Sequence, residues 1–228
     1  MNISDALRTR RSVRAFLDKR LPDGVLRDVL TLAARSPSGG NLQPWRLFVL
    51  TDRAIADFRQ RMQKRLQEAP EGEPVEYNVY PPQLGEPYRS ERYKIGEQLY
   101  SLLGIPREDK TGRKQQFARN YDFFGAPAAL FCFIDRNMGP PQWSDLGMYL
   151  QTVMLLLREH GLDSCPQECW SAYHQTVADF VNAPKEWMLF CGMAIGYADP
   201  HAAINQLASQ RLPLEQFANF LDGKTGNA

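Results

Sequence analysis

Residues 36–45 read SPSGGNLQPW, and two glycines and two prolines in ten positions make them a loop. Gly39 and Gly40 let main chain approach a flat ligand closely, while Ser38, Asn41 and Gln43 offer hydrogen-bonding groups. Upstream, Pro22 can open a helix in which Val25, Leu26, Val29, Leu30 and Ala33 recur at the spacing of one buried helical face. Downstream, WRLFVL (45–50) is rich in strand formers, as are AALFCFI (128–134) and MLFCGMAIGY (188–197). All three runs are continuously apolar rather than alternating, which predicts strands covered on both faces.

Between the second and third runs lies SDLGMYLQTVMLLLREHG (144–161), a helix that is apolar nearly all round. Ser144 suits its N-cap and Gly161 its C-terminal turn. Such a helix belongs at the centre of a core or in a subunit interface. Residues 67–93 differ sharply, with five prolines, four tyrosines and many charges, and predict an irregular lid or arm inserted in the domain.

The chain has 228 residues, 43% hydrophobic and 23% charged, which suits one domain spanning 1–228. No apolar leader and no run of about 18 apolar residues predicts a soluble cytoplasmic protein without membrane contact. Cys132, Cys165, Cys169 and Cys191 are too few for a disulfide framework, and with His160, His174 and His201 they lack metal-ligand spacing, so no metal is expected.

RTRRSVR, Arg8 to Arg14, concentrates four arginines in a chain of formal net charge +1. That density marks a local anion site for a phosphate ligand, a nucleic acid or an acidic partner surface. Against nucleic acid, 27 basic and 26 acidic residues leave no extended basic face; a non-enzymatic nucleic-acid binder would show strongly salt-dependent binding. Neither GxGxxG after a strand nor GxxxxGK[ST] occurs, so side chains must grip the phosphate. GxSxG and HExxH are missing as well, which leaves either a non-enzyme or a cofactor that carries the reactivity.

Five segments in order, RRSVRAF, ARSPSGGNLQPW, GLDSCPQE, GMAIGYAD and RLPLEQF, resemble the signatures of the nitroreductase family of FMN-dependent oxidoreductases, in particular members related to nitrobenzoate reductases. The resemblance implies an α+β fold: a central, mainly antiparallel sheet wrapped by helices as a three-layer α/β/α sandwich, in an intertwined homodimer with FMN at the subunit interface. It implies that Arg10, Arg11, Ser12, Arg14 and Arg211 hold the FMN phosphate and ribityl chain, with Ser209 where many members carry a lysine. Arginine's planar fork suits a phosphate monoester of about two negative charges.

The resemblance further implies that Pro37, Ser38, Gly39, Gly40 and Asn41 pack on the flavin of the other subunit. Pro166, Gln167 and Glu168 lie beside the isoalloxazine ring, with the Glu168 N–H near N5 and Cys169 replacing a usual glycine. Arg119 and Asn120 fall near the place of a basic group facing N1 and O2, whereas Trp45 and Trp170 read as core. The activity implied is two-electron, ping-pong hydride transfer from NADPH or NADH to a small nitroaromatic or quinone-like acceptor, with FMN as the reactive group. The stretch 67–93 would then select the acceptor through Tyr77, Tyr80, Tyr88 and Arg92. Related activities on the same flavin fold are reduction of activated alkenes and reductive dehalogenation, the latter clamping an amino-acid zwitterion with residues of the types of Glu73, Tyr77 and Lys94.

Overall fold

In the computed structural model, which describes residues 1–221, the run at 128–134 becomes strand β2 (Ala128–Asp135) and is buried from end to end except at Asp135. It lies between β1 (Arg46–Thr51) and β4 (Trp187–Gly196), and β3 (Asp163–Gln167) pairs with the far side of β4. Every pairing is antiparallel, in the order β1-β2-β4-β3. Alternate β2 residues serve different layers, as strand geometry requires. Ala129, Phe131 and Phe133 meet α3 (Asp52–Glu68) and α7 (His174–Val181) on one face. Ala128, Leu130, Cys132 and Ile134 meet α2 (Val25–Ala33) and α6 (Pro140–Glu159) on the other. The three-layer α/β/α sandwich and antiparallel sheet implied by the resemblance are therefore present.

Three expectations need correction, and one strand was not foreseen. The helix expected from Pro22, α2, begins at Val25, because Gly24 adopts φ 82° and turns the chain into it. The long helix begins at Pro140, capped at Gly139, whose N–H donates to the Gln142 side chain. Ser144 thus lies inside that helix and donates to Pro141 O. β1 is an edge strand, and Arg46 and Val49 are exposed, so apolar composition does not give it two covered faces. β3 escaped notice because DSCPQ is neither apolar nor alternating; Pro166, which lacks an N–H, is tolerated because β3 has only one strand partner along most of its length.

The insertion is more ordered than its composition suggests. α3 runs through Glu68, irregular chain follows, and α4 (Tyr88–Leu102) begins within the stretch, with α5 (Lys110–Ala118) beyond it. Its root is fastened to α7. The buried Glu73 carboxylate accepts from Arg65 Nε and Nη2 at 3.2 and 3.1 Å, from the N–H groups of Gln175 and Thr176, and from Thr176 Oγ1. His174 Nε2 lies 2.8 Å from Pro74 O, and its Nδ1 faces Glu76. Tyr77 donates to Phe190 O and Arg136 pairs with Glu76. Past this root, Tyr80, Tyr88 and Tyr93 are exposed, with Arg92 stacked 4.0 Å from the Tyr80 ring centroid.

After Gln206 the chain runs on with one short 3₁₀ turn (Leu214–Gln216), leaving Leu212, Leu214, Phe217, Phe220 and Leu221 exposed. No helix among the described residues is long and apolar enough to cross a membrane.

Candidate active site

Arg10 stands at the C-terminal end of α1 (Ile3–Thr9), and Ser12, two residues on, bridges to Ser164 of β3. This short pairing lays the arginine-rich segment along the sheet edge beside Pro166. Arg14 is fixed through its backbone: its N–H donates to Asn205 Oδ1 at 2.9 Å, and its guanidinium donates to Ser12 O. The Asn205 amide in turn donates to Ala15 O and Asp199 O, so one buried side chain joins the start of the chain to its end. Arg11 is exposed, and Arg8 leans on Asp5 at 3.6 Å.

Arg211 reaches this place from the C-terminal segment. Its Nη1 donates to Ser209 Oγ at 2.7 Å and to the carbonyls of Ser209 and Gln210. Ser209 therefore aims the arginine rather than adding a charge of its own. Partial burial, and next the positive charge of Arg211, lower the pKa of Arg10. Like charges brought together at the cost of desolvation need an anion between them, and among the described residues neither Arg10 nor Arg211 has a carboxylate partner. The cradle thus fits a phosphate group.

The segment Pro166–Glu168 is stiff. Gln167 is buried, its amide donating to Asn120 O at 2.7 Å and its carbonyl accepting from Trp170 Nε1. Its side chain is spent on structure, so only its main chain is free to meet a ligand. The same bonds occupy Asn120, whereas Arg119 is exposed. Glu168 opens a 3₁₀ turn and is exposed, and the apolar surroundings raise the pKa of its carboxyl. Behind this segment Trp170 is wholly buried against Gly192 of β4, where an added Cβ would lie 2.6 Å from Trp170 Nε1. Trp45 stacks on Tyr149 at 4.7 Å.

The loop at 36–45 takes an unusual path. Gly40, Asn41 and Gln43 all have φ near +50°, a region costly for side-chain-bearing residues. Ser38 Oγ accepts from Gln43 N–H, and the Gly39 N–H points at both oxygens of buried Asp145 in α6 at 3.3 Å. Pro37, Gly39, Gly40 and Asn41 remain exposed and Ser38 half-buried, far from burying a ligand within one chain. A separate groove of about 770 Å³ runs beside β1, between α2 and α3, and is lined by Leu21, Leu26, Leu30, Val49 and Ile55 among others. None of the candidate residues lines it.

Sequence reading missed Asn205, Asp145 and the aiming role of Ser209. Each acts through a partner distant in the chain, and no local pattern marks it.

Comparison with known proteins agrees with this geometry. The Nitroreductase family profile matches residues 7–197. The chain is 37% identical to the chloronitrobenzene nitroreductase of Comamonas testosteroni over 96% of both chains. It is 35% identical to the 4-nitrobenzoate reductase of Pseudomonas putida, covering 93% of this chain and 92% of that protein. Among solved structures, the FMN and NADPH-dependent nitroreductase NfnB of Sphigopyxis sp. strain HMH superposes with TM-score 0.93 at 46% identity, over 96% of this chain and 99% of that one. The FMN-dependent NfnB of Mycobacterium smegmatis, solved with NADPH, gives TM-score 0.89 at 29% identity, over 96% and 99% of the two chains. An antiparallel α/β/α sandwich, an arginine cradle assembled from both ends of the chain and full-length similarity to these enzymes converge: the chain belongs to the nitroreductase family.

Proposed function

We propose that this protein is an FMN-dependent NAD(P)H oxidoreductase that reduces nitroaromatic acceptors. The observation that carries the reading is the arginine-rich segment laid along the edge of β3 by the Ser12–Ser164 bridge, with Arg10 partly buried, near enough to Arg211 to feel its charge, and without an acidic partner among the described residues. The FMN phosphate binds there, with Arg14 and Ser12 beside it and Arg11 at the rim. The Glu168 main-chain N–H faces the ring, held by the Gln167–Trp170 and Gln167–Asn120 bonds. FMN, when bound, supplies the two-electron chemistry. The net reaction converts a nitro group, NAD(P)H and a proton into a nitroso group, NAD(P)⁺ and water.

The exposed loop Pro37, Ser38, Gly39 and Asn41 covers the flavin of a second subunit, in a homodimer. Two unpaired features of the chain support this: the open edge of β1 with its groove of mixed apolar and charged lining, and the C-terminal arm with five exposed large apolar side chains. The arm of one protomer fills the groove of its partner and completes the sheet edge. Unpaired edges of this kind are otherwise covered or charged. Four free thiols, three of them fully buried, suit a reducing cytoplasm.

The reductive dehalogenation reading loses its key residue. Glu73 is enclosed by Arg65, Gln175 and Thr176 and cannot clamp an amino-acid substrate.

The deciding measurement is the visible spectrum of the purified protein before and after anaerobic NADPH. Flavin bands near one FMN per subunit that bleach with NADPH and return with a nitroarene support the proposal. A colourless protein that takes up no added FMN overturns it.

A further inference from the structure

Three cations lie on the first half of α4, and the structure treats them differently. Arg89 pairs with Glu86 at 2.7 Å, and Arg92 stacks on Tyr80 at 4.0 Å. Lys94 has neither a carboxylate nor a ring among the described residues. Its Nζ donates to the neutral amide oxygen of Gln210 at 3.0 Å, across 116 residues of chain. Gln210 lies between Ser209 and Arg211, the segment that delivers the second arginine of the cradle. An ammonium group carries three donors, so this contact leaves two of them unused.

α4 also packs against the 3₁₀ turn Ala203–Gln206, which contains Asn205, the residue that fixes Arg14. Lys94 therefore stands where the insertion meets the anion cradle, on an element independent of those that carry Arg10 and Arg211. Ser209, beside Gln210, adds no charge and is engaged with Arg211.

We propose that Lys94 is a phosphate-monoester ligand of this site, supplying from α4 a further cation beside the segment that carries Arg211. The phosphate is the 5′-phosphate of FMN or the 2′-phosphate of NADPH, which share the same dianionic chemistry. This rests on the flavin reading above. Lys94 swings from Gln210 onto the phosphate, and the exchange ties the position of α4 to the ligand.

The test compares Lys94→Met, which keeps the stem and removes the charge, with Lys94→Arg in the full-length chain. Flavin fluorescence titration gives Kd for FMN and for riboflavin, which lacks the phosphate, and steady-state kinetics give KM for NADPH and NADH. Loss of one partly exposed charge-assisted contact is expected to weaken the affected ligand about three- to tenfold. Weaker FMN with unchanged riboflavin assigns the 5′-phosphate. A raised KM for NADPH with unchanged NADH assigns the 2′-phosphate. Lys94→Arg retains most of the affinity in either case. If the wild-type chain binds FMN and Lys94→Met alters neither pair, the Lys94 proposal is overturned while the flavin reading stands. If the wild type binds no flavin, the reading itself fails.

Discussion

Replacing Glu73 with glutamine tests whether the insertion is fastened by a buried carboxylate. Its side chain is only 2% exposed, and both oxygens are engaged: Oε1 by Arg65 and Thr176, Oε2 by the N–H groups of Gln175 and Thr176. An amide in its place must turn an NH₂ group toward N–H and O–H donors that the carboxylate now accepts from, and Arg65 keeps only its longer contact with Glu68. The loss is one charge-assisted hydrogen bond, about 1.5–3 kcal/mol, and the favourable charge at the start of α7, about 0.3–1 kcal/mol. Glu73→Gln is therefore expected to destabilise the protein by roughly 2–4 kcal/mol. For a chain of this size that lowers Tm by roughly 4–16 °C. The assay is urea unfolding followed by tryptophan fluorescence, at fixed protein concentration and saturating FMN so that ligand and assembly do not differ between variants. At a temperature where both proteins are folded, KM for the nitro acceptor should be unchanged. A loss below about 0.5 kcal/mol, the range of ordinary surface changes, would refute the fastening argument. Retained stability with an altered KM would instead place Glu73 in the substrate site.

Other perturbations follow from the same geometry. Gly192→Ala drives a Cβ into the immobile Trp170 ring, so a stability loss of about 1–3 kcal/mol and weaker FMN binding are expected, read by calorimetry and flavin titration. Burial pushes the Cys132 thiol up to about 12 and Cys165 to about 11, and raises Cys169 and Cys191 too. Native protein at pH 8 should thus react slowly with a thiol reagent, releasing all four thiols only in denaturant. The Glu168 carboxyl is raised above its ordinary value of 4.5, so the folded state binds more protons than the unfolded one just above that pH, and stability falls as pH rises through that window. Glu168→Gln should remove that slope from a pH series of unfolding midpoints. Ending the chain at Leu212 removes Leu214, Phe217, Phe220 and Leu221, and should convert a dimer to monomer in sedimentation velocity; a persistent dimer would exclude the arm from the interface.

The strands that sequence revealed most directly are those whose environment is uniform. β2 and β4 read as continuous apolar runs because helices cover both of their faces, and α6 reads clearly for a similar reason. β1 carries the same kind of letters, yet its edge and part of its surface are open in a single chain, so composition overstated its cover. β3 is defined by its pairing with β4 rather than by its residues, and α4, rich in tyrosine and charge, buries no residue that would mark a face. The arginines and the glycine loop were legible because anion and flat-ligand recognition demand particular residue types in short segments. Asn205 and Asp145 were not, nor were the contacts that Ser209 and Lys94 make, since an asparagine that bonds to Arg14 looks the same in sequence as one that meets water.

Asn205 and Arg14 are 191 residues apart, and the two arginines of the cradle come from opposite ends of the chain. During synthesis the first arginines emerge early, but their counterpart and the amide that fixes them appear only after all four strands have been made. Until then the N-terminal segment can pair with β3 through Ser12 and Ser164 but lacks Asn205 and Arg211, and contacts between such remote residues form late because they close the longest loop. On the proposed site, flavin capture waits for residues 205–211, and a nascent chain halted before residue 205 is expected to remain free of cofactor however complete its sheet.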